Sequence, residues 1–307
     1  MHKETGEHLS QFMTTREVAA YLRIKERKVY DLLRDKRIPA TRVTGKWLFP
    51  KHLIDQWVAG GTEFPGGVAG AARGAQPTPA VCAGSHDPLL EWSLRESGCQ
   101  LAMMPGGSLD GLGRLAAGEA VVSGLHVYDA KTDSYNQAAV TAACAGLDVV
   151  LIEWAWRQQG LVLAPENPLG IGSIEDLKAK KARVVARQPS AGSRILLDHL
   201  LAGAGIEMDA LDILAGPALN ETDLGLAVLE GKADAGLAIA EVAQQYRLDF
   251  IPLQRERYDL LVHRREYFEE PIVKLMDFAT SDTFAARAAE MAGYDVSGLG
   301  NVVYNSP

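Results

Sequence analysis

Met13-Thr-Thr-Arg-Glu-Val-Ala-Ala-Tyr-Leu22, then Arg23-Ile-Lys25, then Glu26-Arg-Lys-Val-Tyr-Asp-Leu-Leu-Arg34 reads as two short helices joined by a tight break. Thr14 and Glu17 have capping-box spacing, in which each side chain takes up a backbone N–H at the start of the first helix. Val18, Ala19 and Leu22 give that helix one apolar side. Val29, Leu32 and Leu33 do the same for the second, whose other face carries Lys25, Arg27, Lys28, Asp31 and Arg34. A second helix presented by a tight turn suits the DNA major groove. Its cations reach phosphates, and Arg27 or Lys28 is placed for guanine edges. Thr15, Tyr30 and Arg34 complete the candidate contacts on the helices.

Ile38-Pro-Ala-Thr-Arg-Val-Thr-Gly-Lys-Trp-Leu-Phe-Pro50 follows, with Thr44-Gly45 turning a hairpin whose tip carries Arg42 and Lys46. A basic hairpin beside a recognition helix is a wing, able to lie along the backbone or enter the minor groove. Trp47 and Phe49 read as the side of the wing that packs on the helices, with base stacking as the other use. A last helix is expected over 52–58.

Charge divides along the same line. Residues 1–58 hold 12 Lys+Arg against 7 Asp+Glu, and the rest holds 19 against 32, so a basic head sits on an acidic body within a chain of net charge −8. The head is matched to a polyanion and the body is not. Residues 59–79, Ala-Gly-Gly-Thr-Glu-Phe-Pro-Gly-Gly onward, are rich in Gly, Ala and Pro and read as a linker. No apolar run is long enough for a membrane span, and the start lacks an apolar export core. The expected place of work is therefore the cytoplasm. The three cysteines, Cys82, Cys99 and Cys144, have no metal-site or disulfide spacing and read as core thiols, with no metal expected.

From about Ala80, apolar runs alternate with helical stretches. Strands are expected at 101–104, 121–125, 149–154, 161–164, 183–186, 233–238, 250–253 and 260–263, which makes the body α/β with largely parallel sheets. Leu115-Ala-Ala-Gly-Glu-Ala-Val-Val-Ser-Gly-Leu125 echoes Val228-Leu-Glu-Gly-Lys-Ala-Asp-Ala-Gly-Leu237. Gly118 and Gly231 are placed to stop a helix at positive φ. Two such units would form a cleft.

Three Ser/Gly turns stand before expected helices: Ser85-His86-Asp87, Gly106-Gly107-Ser108 and Ser190-Ala-Gly192-Ser193-Arg194. Each is either a plain N-cap or, with free N–H groups at a positive helix end, a seat for an anion. Arg194 either adds charge to that seat or pairs with an acidic neighbour. His126, after a strand, lines the cleft or sits in the core, and the same two choices hold for Tyr258. Trp154 and Trp156 read as packing, and Ser173-Ile-Glu-Asp176 as a capping box. Ser85-His86-Asp87 cannot form a catalytic triad as sequence neighbours, and no G-x-S-x-G or His-Glu-x-x-His occurs. A non-enzymatic binding protein is expected.

Met13 through Leu33, then Gly45-Lys-Trp-Leu-Phe-Pro50 and Ile54-Asp-Gln-Trp57, resembles the excisionase-like helix-turn-helix family, a branch of the MerR-type winged domains. Lys25 departs from the Ser or Thr cap common there. The body resembles a periplasmic-binding-protein-like domain of the molybdate-binding type over about 200 residues. The match is carried by Gly107-Ser-Leu-Asp-Gly-Leu112, Ala117-Gly-Glu-Ala120 with Gly124-Leu-His126, Tyr135-Asn136, Arg157-Gln-Gln-Gly-Leu161, Glu166-Asn-Pro168, Arg187-Gln-Pro-Ser-Ala-Gly-Ser-Arg194, Gly231-Lys-Ala-Asp-Ala-Gly-Leu237 and Leu248-Asp-Phe-Ile-Pro-Leu253 with Tyr258-Asp-Leu-Leu261. The resemblance implies a multidomain chain: a winged helix-turn-helix at 1–58, and a two-lobed α/β domain of type 2 at 80–307. It further implies a transcriptional regulator that senses a small oxyanion, molybdate or tungstate, with no bound cofactor, acting on double-stranded DNA as a homodimer or higher homo-oligomer. The residues alone accommodate a carboxylate as well, and the excisionase likeness leaves a recombination accessory factor as the other reading.

Overall fold

A computed structural model describes residues 12–35, 37–43, 45–60 and 78–307. The chain divides into two compact units, Met1–Pro77 and Thr78–Pro307. Most of the expected linker, from 61 to 77, and Thr44 of the expected turn lie outside the described residues.

The first unit is a helix-turn-helix with a hairpin. β1 (Phe12–Met13) leads into α1 (Thr15–Tyr21), α2 (Glu26–Arg34), β2 (Thr41–Val43), β3 (Lys46–Pro50) and α3 (Lys51–Gly60). The capping box forms in both directions: Thr14 Oγ1 accepts from Glu17 N at 3.3 Å, and Glu17 Oε2 accepts from Thr14 N at 2.7 Å. Arg23 takes φ +55° in the break between α1 and α2. Lys25 precedes α2 with no side-chain cap bond, and its carbonyl accepts from Lys28 N at 2.8 Å. Val18, Ala19, Val29, Ile38, Phe49 and Ile54 make the core, with Trp47 packed against it. The three strands pair in the order β1-β3-β2. α3 begins one residue earlier and ends two residues later than expected.

The second unit has two lobes built on one mixed sheet. In the first lobe, β4 (Val81–Gly84), β5 (Ala102–Pro105) and β6 (Val122–Leu125) are parallel. α4 (Pro88–Glu96), α5 (Ser108–Ala116), β7 (Tyr128–Asp129), β8 (Ser134–Tyr135) and α6 (Gln137–Ala143) complete the early part of that lobe. β9 (Val149–Leu163) then leads into the second lobe. There α7 (Ile174–Ala179), β10 (Arg183–Val185), α8 (Gly192–Gly203), β11 (Asp212–Ile213), α9 (Glu221–Leu229), β12 (Ala235–Ile239) and α10 (Ala240–Tyr246) follow, with β10 to β12 parallel. β13 (Asp249–His263) returns to the first lobe, where α11 (Glu270–Ala279), α12 (Asp282–Glu290) and β14 (Val302–Asn305) finish the chain. The sheet order is β11-β10-β12-β9-β13-β6-β4-β5, with β14 also on β9. Gly118 and Gly231 both take positive φ just past their helices, as the echoed segments suggest. Each lobe has its own apolar core, one around Trp154 and Phe284, the other around Leu161, Val184 and Leu237.

Three sequence expectations change here. The sheet is mixed, because β9, β13 and β14 run antiparallel to their neighbours. And the four runs read as separate strands at 149–154, 161–164, 250–253 and 260–263 belong to two fifteen-residue strands. The polar residues between the apolar runs have the look of loops. They are instead the places where β9 and β13, paired from Asp249↔Leu163 to His263↔Val149, cross between the lobes. Register shifts in β13 at Pro252/Gln254 and Tyr258/Asp259 bracket that polar segment, letting the ribbon bend there. Ser173 also differs: it precedes α7 without a side-chain cap bond, and Asp176 takes Gly172 N instead.

Candidate ligand cleft and nucleic-acid interface

Strand alternation places Arg157 and Gln159 on one face of β9, and Glu256 and Tyr258 on the same face of β13, with Glu256 opposite Arg157. All four are buried. Trp156 faces the other way, under the guanidinium groups of Arg255 and Arg257. The inward face carries a continuous chain of polar contacts. Ser85 Oγ lies 2.7 Å from His126 Nε2, and His126 Nδ1 lies 2.7 Å from Glu256 Oε2. Glu256 Oε1 accepts from Arg157 and, at 3.0 Å, from Gln159 Nε2. Arg157 donates onward to Asp87 Oδ2 at 2.9 Å, which also accepts from the Tyr294 hydroxyl. Asp87, not Ser85, caps α4, taking Leu90 N at 2.7 Å. Gln159 continues the chain to Glu221, whose second oxygen accepts from Ile239 N.

Charges this deep survive only in pairs. Burial works to raise the Glu256 carboxyl, but Arg157 and His126 outweigh it and hold it down at about 2. Burial also opposes the Arg157 charge; Glu256 and Asp87 overcome that and keep it firmly cationic. Tyr258 lies with its ring 4.4 Å from the Arg157 guanidinium and stacked on His126, and its hydroxyl donates to Ser85 O. Desolvation pushes that phenol well above its ordinary range.

The lobes meet around this chain. Ser108, first residue of α5, accepts from His126 N at 3.1 Å. Leu109 N donates to Ser190 O at 3.0 Å, and Ser190 Oγ donates to Gly106 O at 3.1 Å. Two glycines make this approach possible. Gly107 has φ +92°, and a Cβ there would sit 2.9 Å from Ser190 O; a Cβ on Gly192 would run into the His126 carbonyl. Ser193, beside Gly192 at the start of α8, is buried, and its Oγ has no hydrogen-bond partner among the described residues. The structure thus brings Ser85, Gly107, Ser108, His126, Ser190, Gly192, Ser193 and Tyr258 together where the two lobes meet.

Two candidates lie elsewhere. Arg194 pairs with Asp198 one turn along α8 at 2.9 Å, the acidic-neighbour alternative. His86 faces Glu91 at 2.8 Å and lines a separate groove of about 660 Å³ with Arg95, Glu241, Gln244 and Arg287. Sequence reasoning named Asp87 only as part of the turn before α4, and it did not pick Arg157, Gln159, Glu256 or Tyr294 as site residues. For Arg157, Gln159 and Glu256 the signal is the pair of polar stretches, Arg157-Gln-Gln159 and Gln254-Arg-Glu-Arg257, each flanked by apolar runs on both sides.

In the first unit, Lys25, Arg27, Lys28 and Tyr30 are exposed. No ion pair to Lys25, Arg27 or Lys28 occurs among the described residues. Arg34, on the same helix, is held by Asp31 and Asp35. Arg42 sits over Trp47, its Nε donating to Gly45 O, so this tryptophan packs the hairpin from beneath. Thr15, Arg16, Tyr30, Lys46 and Trp47 line one groove of about 390 Å³, which brings the start of α1, the exposed face of α2 and the hairpin together. Among the described residues there is no cluster suited to a metal ion and no helix long and apolar enough to cross a membrane.

Two family models agree with this architecture. The family model described as a PBP superfamily domain matches residues 91–280, and that of a helix-turn-helix domain matches residues 12–62. The Bacillus subtilis (strain 168) protein YvgK is 27% identical over 94% of this chain and 97% of its own length. Among solved structures, a phosphate-bound transporter substrate-binding protein from Clostridium perfringens covers 68% of this chain and 96% of its own, at 14% identity and TM-score 0.49. The regulatory domain of MetR, a LysR family regulator from N. meningitidis, covers 70% of this chain and 96% of its own, at 10% identity and TM-score 0.47.

Proposed function

Since the chain belongs to the PBP superfamily through residues 91–280 and carries a helix-turn-helix domain at 12–62, we propose that it is a ligand-responsive transcriptional regulator. In this reading the head binds duplex DNA, and the interlobe cleft captures a small oxyanion, molybdate or tungstate. The observation that carries the oxyanion reading is the buried Ser193 Oγ, without a hydrogen-bond partner among the described residues, beside the contact between the starts of α5 and α8 on opposite lobes. Hydroxyls and helix starts offer donors without adding a countercharge, the chemistry that suits a compact anion.

The DNA reading is supported by Lys25, Arg27 and Lys28, exposed and without ion pairs among the described residues, and by the groove that Tyr30 of α2 shares with Lys46 of the hairpin. A head this small offers one short helix and one wing. Specific binding therefore calls for two heads on two half-sites, and a homodimer working in the cytoplasm is the assembly we propose. Ligand held by both lobes favours the closed cleft, and that difference in affinity is what shifts the DNA-bound population.

The test is a thermal-stability screen of the full chain with molybdate, tungstate, sulfate, phosphate and formate. A saturating stabilisation by tetrahedral oxyanions and none by formate is expected. Stabilisation by formate alone would reassign the cleft to carboxylates, and no response to any of the five would remove the oxyanion reading.

A further inference from the structure

The Ser85–His126–Glu256 chain fixes which atom of Ser85 is free to meet a ligand, and that depends on one proton. Glu256 takes Arg157 and Gln159 on one oxygen and His126 Nδ1 on the other. A carboxylate in that position accepts only, so Nδ1 carries a hydrogen. What remains open is Nε2, which lies 2.7 Å from Ser85 Oγ. If Nε2 is bare, the single Ser85 hydroxyl hydrogen is spent on it, and Ser85 turns only lone pairs toward the cleft. If Nε2 is protonated, it donates to Ser85, and the hydroxyl hydrogen is released toward a ligand.

Every oxygen of a fully deprotonated tetrahedral anion is an acceptor. It meets an acceptor at Ser85 in the first state and a donor in the second. A hydrogen-bearing oxyanion, such as hydrogen phosphate, can supply its own hydrogen to Ser85 in the first state. Resting on the oxyanion reading above, we infer that the cleft takes up one proton on His126 when it captures a fully deprotonated oxyanion, and that Ser85 selects among oxyanions by their protonation.

His126 is enclosed by polar and charged groups. From β13 it faces Glu256 and Tyr258, and the Arg157 charge on β9 lies behind Glu256. The turn before α4 contributes Ser85 and, through Arg157, Asp87 with the Tyr294 hydroxyl on it. Glu221 on α9 is reached through Gln159. α5 presents the Ser108 hydroxyl, and α8 presents the backbone at Gly192. With a neutral imidazole, the buried set Arg157, Arg187, Glu256, Asp87 and Glu221, two cations against three carboxylates, carries one net negative charge next to an incoming dianion. A protonated His126 balances it, so anion and proton each make the other's entry easier.

The experiment is calorimetric titration of the full chain with sodium tungstate, molybdate, sulfate and phosphate near pH 6, 7 and 8, each in two buffers of different ionisation heat. Sulfate is a dianion throughout, and molybdate and tungstate are used dilute and at pH 7 and 8, where they remain monomeric dianions, so any proton taken up with these three belongs to the protein. Expected on the alkaline side are uptake approaching one proton per dianion and a Kd that weakens by up to about tenfold per pH unit, with phosphate gaining on sulfate as pH rises. His126→Gln, whose amide offers Ser85 an N–H at every pH, should bind dianions with neither proton uptake nor that slope. Dianion binding with a flat Kd and buffer-independent heat in the wild-type chain would overturn this inference and leave the oxyanion reading standing; so would a His126→Gln variant that keeps the full slope. Failure of all four anions to bind at any pH would overturn both. The wild-type proton count needs no variant to fold.

Discussion

The recognition face of α2 and the ribbon crossing between the lobes are both rich in charge, and they use it in opposite ways. On α2, Lys25, Arg27 and Lys28 stand in solvent without ion pairs among the described residues. Their charge costs little to keep, and it acts at a distance on a polyanion. On β9 and β13, Arg157 and Glu256 are out of water altogether, and each is held by more than one partner. Charge exposed on a surface is free to serve a partner. Buried charge is committed to its neighbours and sets the protonation and geometry of what lies beside it, here His126 and Ser85. Removing a cation should therefore damage binding in the first region and folding in the second.

The largest expected effect breaks the buried region. Arg157→Met leaves Asp87 and Glu256 without their shared cation and should lower stability by about 3–5 kcal/mol, read from urea unfolding. Adding Glu256→Gln to it should recover part of the loss. A cost under about 1 kcal/mol for the single variant would mean that the cluster is wetter than its burial indicates.

Next comes the exposed region. Arg27→Ala or Lys28→Ala should leave unfolding within about 0.5 kcal/mol of wild type. The slope of log affinity against log salt should fall by about 0.9 for each phosphate that the variant no longer neutralises, measured by anisotropy on duplex DNA. Normal binding by both variants would displace α2 from the groove. Arg34→Ala sharpens the point within one helix. Its guanidinium already serves Asp31 and Asp35, so its removal should weaken DNA binding less than the removal of Lys28.

A smaller effect concerns pH. Burial raises the Asp259 carboxyl to about 6 despite Arg257 and Asn136, above the roughly 3.9 of an unfolded aspartate. The folded state then holds the proton more tightly. Its contribution to stability is complete below about pH 4 and is lost as pH rises through about 6. Asp259→Asn should flatten that part of the stability profile relative to wild type, measured by denaturation midpoints between pH 4 and 7. An unchanged profile would place the Asp259 titration elsewhere.

The same contrast explains what could be read in advance. The head was legible almost to the residue, because its signals are local: a cap at Thr14 answered by Glu17, a break at Arg23, apolar spacing on both helices and a glycine turn at Gly45. In the body, helix stops such as Gly118 and Gly231 were equally readable, as were the short parallel strands β5, β6, β10 and β12, whereas β4 and the two-residue β11 were not among the expected strands. The cleft was half legible. Ser85, Ser108, His126, Ser190 and Ser193 sit at strand ends or helix starts, where local sequence marks them. Arg157 and Glu256 do not. They are 99 positions apart, they lie in polar stretches that interrupt two apolar patterns, and only the long antiparallel register makes them neighbours. A periodicity argument ends a strand where its apolar face ends, and here the strand continues because its polar face has partners across the ribbon.

The central claim, that solute captured by the body governs the head's grip on DNA, is tested most directly by one binding measurement. Duplexes are selected from a random pool with the full chain, and the Kd of the enriched duplex is measured at fixed salt with and without saturating tungstate. A change of at least about fivefold in either direction, the scale of a typical coupling between two sites, is the expected result. A duplex affinity that ignores tungstate under conditions where tungstate stabilises the protein, or no enriched duplex at all, would contradict it.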